Sequence, residues 1–144
     1  IMYLRKAHGI DSHVFEVELL LGHLLFKNGH PDQAMPHLET AAKINPASGL
    51  AFRIKGEIYL VKHLAQKAAL EFNKAIKLNP SDAVSLSGYA KSLELQDKNL
   101  NIALTFAKNS LALEPDNCLF KERLTAILEK IDETANLNKT IKTA

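Results

Sequence analysis

Apolar residues recur along this chain at steps of three and four, the spacing of a helix with one buried face. Glu18, Leu21, Gly22 and Leu25 hold that period until Lys27-Asn28-Gly29-His30 breaks it. Gly29 suits the left-handed residue just past a helix end, and Pro31 suits the first turn of the next helix. Ala34, Leu38, Ala41 and Ile44 then mark a second helix that stops at Asn45-Pro46. The pair recurs with Phe52, Gly56 and Tyr59, followed by Ala68, Phe72, Ala75 and Leu78. It recurs once more with Leu86, Tyr89, Ala90 and Leu93, followed by Ala103, Phe106, Ala107 and Leu111.

The recurrence has a fixed length. Asn45-Pro46, Asn79-Pro80 and Glu114-Pro115 are separated by 34 and then 35 residues. Gly22, Gly56 and Ala90 keep step with them, as do Ala34, Ala68 and Ala103. The extra residue falls within Gln96-Asp97-Lys98-Asn99, where it lengthens a surface turn and leaves both helices in register. The small residues predict a seam in which the first helix of each pair (A) closely approaches the second (B).

A 34-residue helix–turn–helix unit with these small and large columns and a closing proline resembles the tetratricopeptide repeat. The resemblance spans 13–117 as three units, 13–48, 49–82 and 83–117. It implies an all-α fold, a right-handed α-solenoid of helix–turn–helix repeats with a C-terminal capping helix. Glu18 and Lys55 depart from the family's apolar A-helix columns. Residues 1–12 are expected to be the end of a further B helix, since Leu4, Ala7, Ile10 and Asp11 align with Leu38, Ala41, Ile44 and Asn45. At the other end, Phe120, Leu124, Leu128 and Ile131 form one stripe of a capping helix over 118–133, with a flexible tail at 134–144.

Composition narrows the setting. The chain has 144 residues, 47% of them hydrophobic and 24% charged, which is the balance of a folded domain. Eighteen basic and sixteen acidic residues leave a net charge of +2, far from the concentrated basic field of a nucleic-acid binder. The single cysteine, Cys118, has no intramolecular partner, which fits the cytosol. No apolar run is long enough to cross a bilayer, and no signal-peptide pattern follows Met2. Position 1 reads as the end of a piece cut from a longer chain.

The resemblance places the A helices along a concave groove. Helical geometry then turns certain columns toward it: Glu16, Leu19, Leu20, His23, Phe26 and Lys27 in the first unit. Leu50, Arg53, Ile54, Glu57, Leu60 and Val61 follow, then Val84, Ser87, Gly88, Lys91, Glu94 and Leu95, and from the cap Glu122 and Arg123. The expected peptide-binding residues are Leu19, His23, Phe26, Arg53, Ile54, Glu57 and Lys91. Charges in these columns balance, which argues against a phosphate backbone and for a peptide or amphipathic helix. Family members that clamp the C-terminal carboxylate of heat-shock chaperones use two Lys, two Asn and one Arg. The matching positions here hold Leu19, His23, Ile54, Val84 and Gly88, so that ligand is disfavoured.

No catalytic residue, metal ligand set or cofactor is expected. The six histidines show no HExxH or Cys/His zinc spacing, and the chain has no Gly-rich phosphate loop. The sequence reads as a non-enzymatic protein–protein interaction scaffold without membrane insertion. Its alternatives are a regulatory or substrate-presenting arm of a larger enzyme such as a transferase, or a repeat subunit of an envelope or secretion assembly. Weak self-association through the N-terminal end is a further expectation, because residues 1–12 supply only part of a B helix.

Overall fold

A computed structural model describes the backbone of residues 2–143 and the side chains of residues 13–142. Among the described residues there are seven helices: α1 (Met2–Lys27), α2 (Pro31–Ile44), α3 (Gly49–Val61), α4 (Ala65–Leu78), α5 (Ala83–Leu95), α6 (Leu100–Leu113) and α7 (Cys118–Thr143). They pack as antiparallel pairs, α1 with α2, α3 with α4 and α5 with α6, and each pair stacks on the next. The result is an all-α repeat solenoid closed by α7.

The punctuation seen in the sequence has a structural cause at both kinds of turn. Between A and B helices, Gly29, His63 and Asp97 occupy the same repeat position, and all have positive φ, at 84°, 61° and 53°. In each turn the following amide bonds back five residues, His30 to Leu25 at 2.8 Å, Leu64 to Tyr59 at 2.8 Å and Lys98 to Leu93 at 3.1 Å. This is the left-handed closure that satisfies the last carbonyls of a helix. The inserted residue of the third turn appears as Asn99, a second left-handed residue at φ 49° just before α6. Between B and A helices, the Asn45 and Asn79 carboxamides accept from the amides of Ala47 and Ser81 at 3.2 and 3.1 Å. These side chains turn the backbone where proline forbids another helical turn.

The small columns lie at the expected seams. A methyl group added at Gly22 would meet Leu38 at 2.6 Å, and one at Gly56 would meet the Phe72 ring at 2.9 Å. Phe72 is shared between repeats, because Gly88 also lies against it, with 2.4 Å to its ring from a notional Cβ. Ala34, Leu38, Ile54 and Ile58 form one core cluster. Ala90, Leu93, Ala103, Ala107 and Ile127 form another beneath α7.

Two boundaries differ from the sequence expectation. α1 runs unbroken from Met2, with no helix end near residue 12. Ser12 stands where the later turns carry Pro46 and Pro80, so nothing there removes a helical hydrogen bond. α7 likewise continues through 134–143 rather than ending as a tail, because the segment holds no glycine or proline to stop it.

Candidate peptide-binding face

The A helices α1, α3 and α5 neighbour one another in sequence along one side of the stack, and α7 extends that side. Its centre is a network of charged side chains from three helices. Arg53 on α3 donates through a terminal nitrogen to Asp82 Oδ1 at 3.3 Å. Asp82 is the N-cap of α5, accepting from the Ser85 amide at 3.4 Å and from the Ser85 hydroxyl at 2.8 Å. Arg123 on α7 donates to Ser87 Oγ at 3.0 Å. Glu57, one turn along α3 from Arg53, lies in the combined field of Arg53, Arg123 and Lys27.

Burial sets the chemistry of this network. It pushes the Glu57 carboxyl above its ordinary range, and Arg53, Arg123 and Lys27 pull it back. Burial also holds the Arg123 guanidinium below its ordinary value, with Glu57 opposing the shift. The Arg53 Nε and the His23 Nδ1 are buried and have no hydrogen-bond partner. A half-buried cluster with unpaired polar nitrogens suits a ligand that brings its own polar groups.

Farther along, Lys91 lies 3.2 Å from Glu94, and Lys130 on α7 lies 3.6 Å from the other oxygen of the same carboxylate. Lys130 also donates to the Glu94 carbonyl at 2.7 Å and to Asp97 at 2.8 Å. The hydrogen bond it donates to Asp97 is the main reason its ammonium is held above the usual lysine value. Lys130 thus closes the C-terminal end of α5 and fixes α7 on it.

The seven candidate residues separate into three groups. Arg53 and Glu57 meet in the central network. Leu19 and Phe26 are half-buried against the core of Ala34, Leu38, Ile54 and Ile58, while His23 is half-buried beside them on α1 and Lys91 is half-buried beside Glu94. Ile54 has no exposed surface and packs with Ala34 and Leu38, so it is a core residue and not a groove residue. Gly88 is likewise turned toward Phe72 rather than into the groove. A helix column that meets the preceding B helix is one step from the groove column, and helical period alone does not separate them. Asp82 was absent from the sequence-derived columns. Its signal was an acidic residue immediately before an apolar helical run, the pattern of an N-cap.

Other chemistry is not assembled. Among the described residues, no group of three or more His, Cys, Asp or Glu side chains could hold a metal ion. No described helix is long and apolar enough to cross a membrane.

The tetratricopeptide repeat family model matches residues 19–48, a single repeat. Solved structures extend the likeness to most of the chain. The first tetratricopeptide domain of Spaghetti (RPAP3), bound to the HSP90 peptide SRMEEVD, matches with TM-score 0.78 and 21% identity over 84% of this chain and 95% of that one. The Arabidopsis OM64 tetratricopeptide domain matches with TM-score 0.77 and 18% identity, covering 83% and 98%. A Thermobaculum terrenum O-GlcNAc transferase (K341M mutant) matches with TM-score 0.75 and 19% identity over 82% of this chain but 22% of the enzyme. No curated protein sequence matches the chain. One repeat thus matches the tetratricopeptide family model, and most of the chain shares the fold of solved tetratricopeptide-repeat domains.

Proposed function

We propose that the domain binds an extended peptide or a partner helix along the concave face formed by α1, α3, α5 and α7. The observation that carries this reading is the Arg53–Glu57–Arg123 network. Three titratable groups are held half-buried on a surface where apolar packing needs none of them. Their arrangement favours a ligand of mixed charge, with an acceptor for Arg53 and a donor for Glu57. A preformed helical surface also limits the ordering cost of binding.

The Spaghetti domain, which shares this fold, is bound to an HSP90 peptide. In this chain the clamp positions hold Leu19, His23, Ile54, Val84 and Gly88, and two of them are turned into the core. A chaperone carboxylate is therefore not the ligand proposed. Selection from a random peptide library, followed by anisotropy titration of the enriched peptides, tests the proposal. Arg53→Glu is expected to weaken binding by about tenfold or more, and the convex-face control Lys108→Glu to leave it unchanged. Equal losses in both variants would refute the concave site.

A second reading is favoured by one observation. The match to the O-GlcNAc transferase covers only 22% of that enzyme, so this fold also occurs as part of a longer catalytic chain. In that setting the same face presents substrate segments to a neighbouring domain.

A further inference from the structure

Glu57 on α3 and Arg123 on α7 carry opposite charges on the concave face and do not meet. Each acts on the other's ionisation, so they lie in one another's field. They form no ion pair with each other, which sets them more than about 4 Å apart. Arg123 donates to the Ser87 hydroxyl at 3.0 Å, a neutral partner on α5. Ser87 is the residue one repeat on from Arg53, so this bond carries the guanidinium over α5, the helix beside α3. Among the described residues nothing donates to the Glu57 carboxyl. Unlike Arg53 Nε and His23 Nδ1, its oxygens and the remaining Arg123 nitrogens are not sealed from solvent.

The charged groups around this gap leave it nearly neutral. Arg53 is held by Asp82 at 3.3 Å, and Asp82 also caps α5 through Ser85. Lys91 is held by Glu94 at 3.2 Å. Lys27, on α1, is exposed. One carboxyl and one guanidinium remain at the centre, and burial disfavours the charged form of each. An anionic ligand group would suit Arg123 and be repelled by Glu57, and a cationic group would do the reverse. A neutral group with an acceptor and a donor suits both.

We propose that the ligand of the concave face inserts an Asn or Gln side chain between Glu57 and Arg123, its carbonyl oxygen accepting from Arg123 and its amide nitrogen donating to Glu57. The oxygen and nitrogen of a primary carboxamide lie about 2.3 Å apart in one plane. With a hydrogen bond of about 2.9 Å at each end it spans roughly 5–8 Å, a gap wider than an ion pair and short enough for the two charges to interact. Ser87 acts as a positioning residue, because its hydroxyl fixes the guanidinium that reads the carbonyl. Leucine in place of the carboxamide leaves both half-buried groups without a partner, and aspartate leaves Glu57 facing a second carboxylate. The assignment rests on the concave face being the binding surface, and adds to it the class of residue that the centre of that face reads.

Peptides selected from the random library, titrated by anisotropy against the whole chain, test it. Selected peptides are expected to share an Asn or Gln at one position. Its replacement by Leu, Asp or Lys is expected to weaken binding to wild type about tenfold. The same Leu replacement is expected to cost less than about threefold against Glu57→Met or Arg123→Met, each checked for unchanged helicity by circular dichroism, because the partner is already lost. Peptides that lose affinity with Arg53→Glu but share no carboxamide, or tolerate its replacement, would overturn this inference and leave the concave site standing. So would a Leu replacement that costs as much against both Met variants as against wild type. A library yielding no peptide sensitive to Arg53→Glu would remove the concave site itself, and the inference with it.

Discussion

Lys55 and Glu71 face each other across the seam of the second repeat, 3.7 Å apart, with only 12% and 10% of their side-chain surfaces exposed. One repeat on, the same two positions hold Tyr89 and Phe106, whose rings meet edge to face at 5.0 Å. The polar departures from the family columns are thus matched across the seam rather than left alone. Glu18, the other departure, is likewise met from the B helix by His37 at 2.6 Å.

Breaking the Lys55–Glu71 pair strands a nearly buried carboxylate, which retains only the partly exposed Lys74 at 3.5 Å. Lys55→Met is expected to cost roughly 2–4 kcal/mol in urea unfolding. Lys55→Tyr/Glu71→Phe, which copies the third repeat, is expected to recover wild-type stability within about 1 kcal/mol, because a packed apolar pair avoids desolvating two charges. A double variant no more stable than Lys55→Met would contradict this account of the seam.

Phe72 is wedged between Gly56 and Gly88 and is 1% exposed. A methyl group at Gly88 has no room beside a ring that packing holds on both faces. Gly88→Ala is expected to destabilise by about 1–3 kcal/mol, and Phe72→Leu in the same chain to relieve part of the loss. Thermal unfolding of the two single variants and the double gives the coupling directly.

His63 occupies the left-handed turn position that Gly29 fills in the first repeat, at φ 61°. A side chain there carries steric strain that glycine lacks, offset in part by glycine's larger unfolded-state entropy. His63→Gly is expected to stabilise the domain by roughly 0.5–1 kcal/mol. Asp97 shares the conformation but also accepts from Lys130 at 2.8 Å, so Asp97→Gly is expected to gain less or to lose.

Protonation of Glu57 provides a pH handle on the central network. Its folded value is raised above 4.5, so the folded state holds the proton more tightly than the unfolded chain. The resulting stabilisation is present below the unfolded value and is lost as pH rises through the folded value. Glu57→Gln removes that titration. Stability of the variant relative to wild type is expected to increase as pH goes from about 4.5 toward neutrality, and to level off above the raised value. A difference that is constant across this range would contradict the burial of Glu57.

The repeat was legible because each column recurs, and recurrence at a fixed step survives substitutions at single positions. Gly22, Gly56, Phe72 and Ala103 could be placed on the A–B seam from spacing alone. Ile54 and Gly88 were misplaced into the groove, since the groove column and the column under the preceding B helix are only one residue apart, as Arg53 and Ile54 are. That distinction depends on how neighbouring pairs are inclined, and no local pattern encodes it. Asp82 escaped for the opposite reason: its role as an N-cap is local, but its pairing with Arg53 spans 29 residues. The ends were misread where expected breaks lacked a breaker, at Ser12 and after Glu133.

The central claim is that the concave face is the working surface. Amide chemical shifts of the isotope-labelled domain, followed while a library-selected peptide is added, test it most directly. The account predicts that the largest changes fall on α3 and α5 around Arg53, Glu57 and Ser87, and on α7 around Arg123. Changes centred instead on α2, α4 and α6, with Arg53 and Glu57 undisturbed, would contradict it.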